Sequence, residues 1–203
     1  MKMNIFTDLL MSANAEQLAP NSRINHHARG LTYLCLHRST QLTMKIYVLD
    51  GARNSNSGFL VHPHSHRYFF ETTVLRGHLD HVLFKDVMPG CGWGETFDRH
   101  VYDPDTGTPT LNGQRELYGE YQRYVRGERY AVSPHEIHTL RLDLSVGGPV
   151  VLALAQGPDV QKTTNLYLPP HLKGRIDRPD TRPMTVAQFN NSRDFLLDLL
   201  KYA

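Results

Sequence analysis

The sequence is poor in most of the features that announce a function. Only two cysteines, Cys35 and Cys91, occur in 203 residues, and no CxxC pair exists, so there is no disulfide framework. A dominant charge sign is also missing. The 22 Lys and Arg are scattered among 20 Asp and Glu, leaving a formal net charge of +2 and no basic stripe of the kind that binds nucleic acid. No apolar run approaches the roughly 20 residues that a membrane span requires. The opening MKMNIFTDLLMSANAEQ has acidic and polar residues where a signal peptide needs a continuous apolar stretch. These absences predict a reduced, cytoplasmic protein with neither nucleic-acid nor membrane partners. There is no G-x-S-x-G elbow, P-loop or G-x-G-x-x-G either. Cys91, alone in the glycine-rich CGWG, is weak grounds for a nucleophile.

What is present is an ordinary globular composition, 40% hydrophobic and 21% charged, on a chain long enough to bury a core. The expectation is a single domain over residues 1–203. Residues 2–17 read as a helix, with Ile5, Leu9, Leu10 and Met11 on one face and Pro20 and Asn21 ending it. The pattern then turns to period two, with strands predicted at 31–36, 42–49, 59–66, 69–76, 79–85, 115–125, 129–132, 137–144 and 150–155. Gly, Asn and Ser at 51–58 predict a turn, and Arg76-Gly77 the turn of a hairpin. A long loop is expected from Pro89 to about Gly113, and an irregular tail from Pro158 to Pro183. Residues 185–202 close the chain as an amphipathic helix, with Val186, Phe189, Phe195, Leu196, Leu199 and Leu200 on one face. Many short strands between two terminal helices predict an all-β barrel or jelly roll with a core of about 31–156.

Histidine stands out by its number and clustering. Twelve are present, and five of them fall between His62 and His81. Residues two apart on a strand share a face, so His64-Ser65-His66 forms a chelating pair, with His62 in phase but displaced by Pro63. Neutral imidazole is the commonest protein ligand for metals, and two on one face can reach a single ion. Downstream, the turn around Pro134 delivers His138 to the start of an alternating strand with Leu140 and Leu142 in phase. Three histidines so placed form a facial set. His62 and His135 flank these residues as rim positions, and His78 and His81 are expected to face solvent. His26, His27, His37, His100 and His171 carry no spacing signal.

These segments resemble the two motifs of the cupin superfamily. Gly58, His64, His66 and Gly77 match the first motif, and Gly127, Pro134 and His138 match the second. The resemblance implies a jelly-roll barrel with a divalent transition metal in its mouth, bound by His64, His66 and His138. Five residues rather than six separate Glu71 from Gly77. If Gly77 sets the register, Phe70 occupies the glutamate position; if the histidines set it, Glu71 is a fourth ligand.

A face of three histidines without a carboxylate is similar to the ligand set of the cysteine-dioxygenase-like branch. That implies iron(II), with zinc, manganese and nickel as alternatives, and a dioxygenase-type reaction on a small molecule such as a thiol. Arg38 is then the candidate contact for a substrate carboxylate, and Tyr130 the second substrate-binding candidate. No cysteine follows the histidine pair, and Leu140 stands where that branch places a tyrosine. A non-redox isomerase or lyase, a non-catalytic metal or small-molecule binder, and a metal-free epimerase-like cupin are the competing readings. Tyr68, Phe69, Phe70 and Trp93 are candidate pocket aromatics, and paired barrel edges would make a homodimer.

Overall fold

The computed structural model describes residues 3–50, 60–142, 148–172 and 180–201. Its elements run α1 (Met3–Met11), α2 (Ala15–Leu18), β1 (Arg23–Ile24), β2 (Leu31–Arg38), β3 (Thr43–Leu49), β4 (Tyr68–Arg76), β5 (His78–Asp86) and β6 (Glu95–Tyr102). They continue through β7 (Pro109–Val125), β8 (Arg129–Val132), β9 (Ile137–Arg141), β10 (Val150–Asp159), β11 (Thr164–Leu168), β12 (Arg182–Pro183) and α3 (Val186–Lys201). The fold is all-β with short terminal helices. None of the described helices is long and apolar enough to cross a membrane.

Every strand pair is antiparallel. A seven-stranded sheet has the order β12-β1-β2-β3-β10-β4-β8, and a five-stranded sheet the order β11-β6-β7-β5-β9. The segment between Leu60 and Ser65 joins the two edges of the smaller sheet. His64 exchanges backbone hydrogen bonds with His138 of β9, both at 3.0 Å, while Ser65 donates to Asn165 of β11 and Tyr167 of β11 donates to Pro63. The smaller sheet thereby closes on itself into a near-complete barrel, leaving few unpaired backbone groups at its edges.

Alternation along the strands sorts the core into layers. Phe6 and Leu10 of α1 and Phe189 and Leu196 of α3 pack on Leu34, Ile46, Leu75 and Val151, so the helices cover the outer face of the larger sheet. Phe70, Val74, Leu152 and Val132 on its inner face meet Leu79 and Leu142 from the opposing side. Val82, Phe84, Phe97, Leu117, Ile137 and Tyr167 fill the closed smaller sheet. Each fully buried side chain of this kind contributes about 1.5–3 kcal/mol.

The sequence expectations fail where local pattern is weak. The N-terminal helix is split, because the Asn14 side chain accepts from the backbone of Glu16 and Gln17 and restarts the helix as α2. The expected loop at 89–113 contains β6 and the first part of β7. Residues 110–115 of β7 are exposed on both faces, so backbone pairing without hydrophobic alternation forms that hairpin. The expected irregular tail contributes β11 and β12. Arg76-Gly77 is a corner between sheets, not a hairpin: β4 pairs with β10 and β8, while β5 pairs with β7 and β9. Gly77 makes that corner with φ +79°, and a Cβ there would stand 3.1 Å from Val150 Cγ2. The expected strand at 59–66 is, from Leu60 on, a bridging segment, since Pro63 interrupts its ladder. The turn at 51–58 and Gly58 lie outside the described residues, as do residues 143 and 144 of the strand expected at 137–144.

Candidate metal centre

Two segments carry the centre, and backbone bonds hold them together. His64 and His138 pair directly across the seam of the smaller barrel, and His66 follows one strand period later. Ser65 is buried and faces the other way, its hydroxyl accepting from the Asn165 backbone at 2.9 Å. Gln161 donates to the carbonyls of His66, at 2.7 Å, and Pro134, at 3.3 Å, tying the histidine pair to the turn that delivers His138. Glu136 secures that turn from within, its carboxylate accepting from the Ser133 backbone.

The three imidazoles form a nearly equilateral triangle. Ring centroids are 4.7 Å apart for His64–His66, and 5.0 Å for both His64–His138 and His66–His138. One nitrogen from each ring lies within 4.8 Å of the others, and this is the set among the described residues that can hold a metal ion. Burial drives the pKa of all three below the ordinary imidazole value, furthest for His66 and His138, and the neighbouring histidines push both the same way. The rings are therefore neutral, as ligation requires.

A hydrogen bond assigns one tautomer, and a second contact is compatible with the tautomer that ligation needs. His64 Nδ1 lies 2.8 Å from the His62 carbonyl, which only accepts, so Nδ1 carries the proton and Nε2 keeps its lone pair. His138 Nδ1 lies 2.9 Å from His81 Nε2, and His138 Nε2 lies 2.8 Å from His66 Nε2. When His138 donates from Nδ1 to His81, its Nε2 lone pair points into the triangle. This is the outer partner that metal-binding histidines characteristically have. The donor set, three neutral imidazoles of which two have a hydrogen-bond partner behind them, fits a divalent transition metal.

His81 is the residue that sequence reasoning missed. It is buried at 2% exposure rather than solvent-facing, and its ring stacks on Tyr130 at 4.3 Å. Burial holds its pKa down at about 4. Its phase with Leu79 on β5 is a local hint, but the strand alone does not say which face is covered. Tyr130, also buried, thus stands behind His81 rather than beside the triangle.

Glu71 is not brought to the histidines. It pairs with Ala155, which pairs with Met44 on the helix-covered face, and its carboxylate lies 3.7 Å from Arg129. Phe70 takes the inward position instead, its ring 4.7 Å from His66 and 5.5 Å from His138. Arg38 is exposed at the end of β2 and donates to Asn21 Oδ1. His135 is exposed, and Trp93 and Phe69 point outward, whereas Tyr68 packs 5.2 Å from His66. His26 and His27, which carried no spacing signal, reach the same neighbourhood. His27 is 6.1 Å from His64, and His26 meets Tyr33 edge-on at 4.8 Å. Asn25 and His27 adopt positive φ, 53° and 65°, which turns this loop toward the triangle.

The histidines of the two segments that resemble the cupin motifs thus meet at one point between the sheets of an all-antiparallel barrel. No protein-family model matches the sequence, and no curated protein matches it. Solved structures with a similar fold include hydroxypropylphosphonic acid epoxidase from S. wedmorenis, at 15% identity and a TM-score of 0.40 over 68% of this chain and 56% of that one. This chain therefore spans little more than half the length of that enzyme. The nucleoside dehydratase Pac13 is 10% identical, with a TM-score of 0.40 over 87% of this chain and 94% of its own. A protein from Klebsiella pneumoniae with a double-stranded β-helix domain is 11% identical, with a TM-score of 0.38 over 76% of this chain and 94% of its own.

Proposed function

We propose that this chain is a metal-dependent cupin enzyme, a non-haem iron(II) dioxygenase-type oxidoreductase acting on a small molecule, with thiols as the first substrate class to test. The observation that carries the reading is the triangle of neutral His64, His66 and His138, the first two half-buried and the third buried, with no carboxylate beside it among the described residues. Iron(II) held by His64, His66 and His138 would supply one-electron chemistry toward dioxygen.

The protein's own contribution is holding, orienting and drying. The His62 carbonyl fixes the His64 tautomer, and His81 orients the His138 ring from behind, so both imidazoles are positioned before any ion arrives. Tyr130 acts through His81 as a positioning residue, its ring limiting how far the His81 imidazole can turn. Phe70 and Tyr68 pack against His66 and keep water from that side of the centre.

The test is metal analysis by mass spectrometry on untagged protein prepared without chelators, followed by oxygen-uptake assays with small thiols and diketones. One iron per chain, lost in His64→Ala and His138→Ala, with oxygen consumed by the wild type alone, is the expected result. Bound zinc, manganese or nickel without oxygen uptake would instead assign a non-redox isomerase or lyase in which the metal acts as a Lewis acid. A wild type that stays empty after reconstitution with iron(II) would overturn the metal reading.

A further inference from the structure

Lys45 occupies an inner position of the larger sheet. In Thr43-Met44-Lys45-Ile46-Tyr47-Val48-Leu49, alternation puts Met44, Ile46 and Val48 under the helices and Lys45 and Tyr47 on the opposite face. That face is covered. Lys45 sits in the row Cys35, Lys45, Leu154, Thr72, Tyr130, whose last member stacks on His81.

Its ammonium is largely buried, yet among the described residues it forms no ion pair. Nζ donates to Gln156 Oε1 at 2.9 Å and stands 5.0 Å from the centroid of the Tyr33 ring. Gln156 pairs with Phe70, whose ring touches His66, and Tyr33 touches His26, which lies tilted against His27 beside His64. Lys45 is thus linked to the triangle from two sides, and its field lowers the pKa of His26, His27 and His66. An ammonium has three donors, of which Gln156 takes one. A buried cation without a counter-charge is costly, and that cost is recovered when an anion enters the same low-dielectric space. Desolvation has brought the amine pKa down only to about 8, so it is charged at neutral pH.

We propose that Lys45 anchors an anionic oxygen group of the substrate, a carboxylate, beside the three-histidine centre. This rests on the metal reading above. It places the substrate-orienting charge on Lys45 of β3 rather than on Arg38, which is spent at the surface on Asn21.

The test uses protein loaded with cobalt(II), in which thiolate binding is read from the charge-transfer absorption. Mercaptoacetate and mercaptoethanol are titrated into wild type, Lys45→Met and Lys45→Arg. Lys45→Met is expected to weaken mercaptoacetate on the order of thirtyfold, the low end for truncating one partner of a buried charge pair. Mercaptoethanol binding and cobalt content stay unchanged, and Lys45→Arg retains the preference. If both thiols lose equally, or neither does, while cobalt is held, the anion site is overturned and the metal centre stands. If wild type holds no cobalt, both readings fall. Lys45→Gln repeats the comparison should Lys45→Met fail to fold. Competition by inorganic phosphate against acetate separates the sources: tighter phosphate moves the assignment to a phosphate ester, tighter acetate keeps it on a carboxylate.

Discussion

Replacing His81 by Phe removes the nitrogen behind His138 while leaving a ring to stack on Tyr130. In the wild type His81 Nε2 lies 2.9 Å from His138 Nδ1 in a fully buried setting. The substitution strands that Nδ1 without a partner, which costs the metal-free protein about 1–3 kcal/mol. It also frees His138 to carry its proton on Nε2, the atom that must present a lone pair to the ion. Loss of such an outer partner weakens metal affinity by about 10–100-fold, or about 1.4–2.7 kcal/mol. The assay is competition for cobalt(II) against a chromogenic chelator at neutral pH, with urea unfolding of the metal-free protein in parallel. His81→Gln, whose amide oxygen can accept from Nδ1, is expected to recover most of the affinity. Unchanged affinity in His81→Phe would refute the reasoning outright. A loss as complete as that of His138→Ala, with no recovery in His81→Gln, would also refute it, because His81 would then be holding the fold rather than the tautomer.

Two further outcomes follow from the same geometry. Glu71→Gln is expected to leave metal content unchanged and to cost less than about 1 kcal/mol, since its pair with Arg129 is surface-exposed; loss of metal would return Glu71 to the ligand set. Stability of the metal-free protein should decline with acid. The folded His81 titrates near 4 and an unfolded imidazole near 6.5, so the unfolded chain binds more protons between those values. His81 therefore favours the folded state fully above about pH 6.5 and loses on the order of 3 kcal/mol of that preference by pH 4. Urea midpoints measured across this range check it, and His81→Phe should flatten the slope; a wild-type midpoint independent of pH would contradict the burial of His81 as a neutral ring.

The parts of this protein legible in its sequence are those that depend on periodicity and on residue chemistry. Period-two strands, terminal amphipathic helices, the His64-x-His66 pair and a histidine delivered by the Pro134 turn are all local patterns. Local steric rules and hydrophobic alternation write them into short windows. What alternation cannot say is which of a strand's two faces is covered. On β5, Leu79 and Val82 are both fully buried on opposite faces, so His81 could be placed inward only once the closed smaller sheet and the facing larger sheet were known. On β4 the same ambiguity left Glu71 and Phe70 as rivals until the pairing of Glu71 with Ala155 put it on the helix side. Arg38, the candidate read from the sequence, and Lys45, which the sequence did not single out, are cations on neighbouring strands. One ends exposed beside Asn21 and the other enclosed beside Gln156. The sequence by itself determined most of the strands, the terminal helices and the three candidate ligand histidines. Which imidazole stands behind them, which carboxylate is kept away and which cation is drawn inside were decided only by tertiary packing, because burial belongs to a pair of surfaces and no single strand contains both.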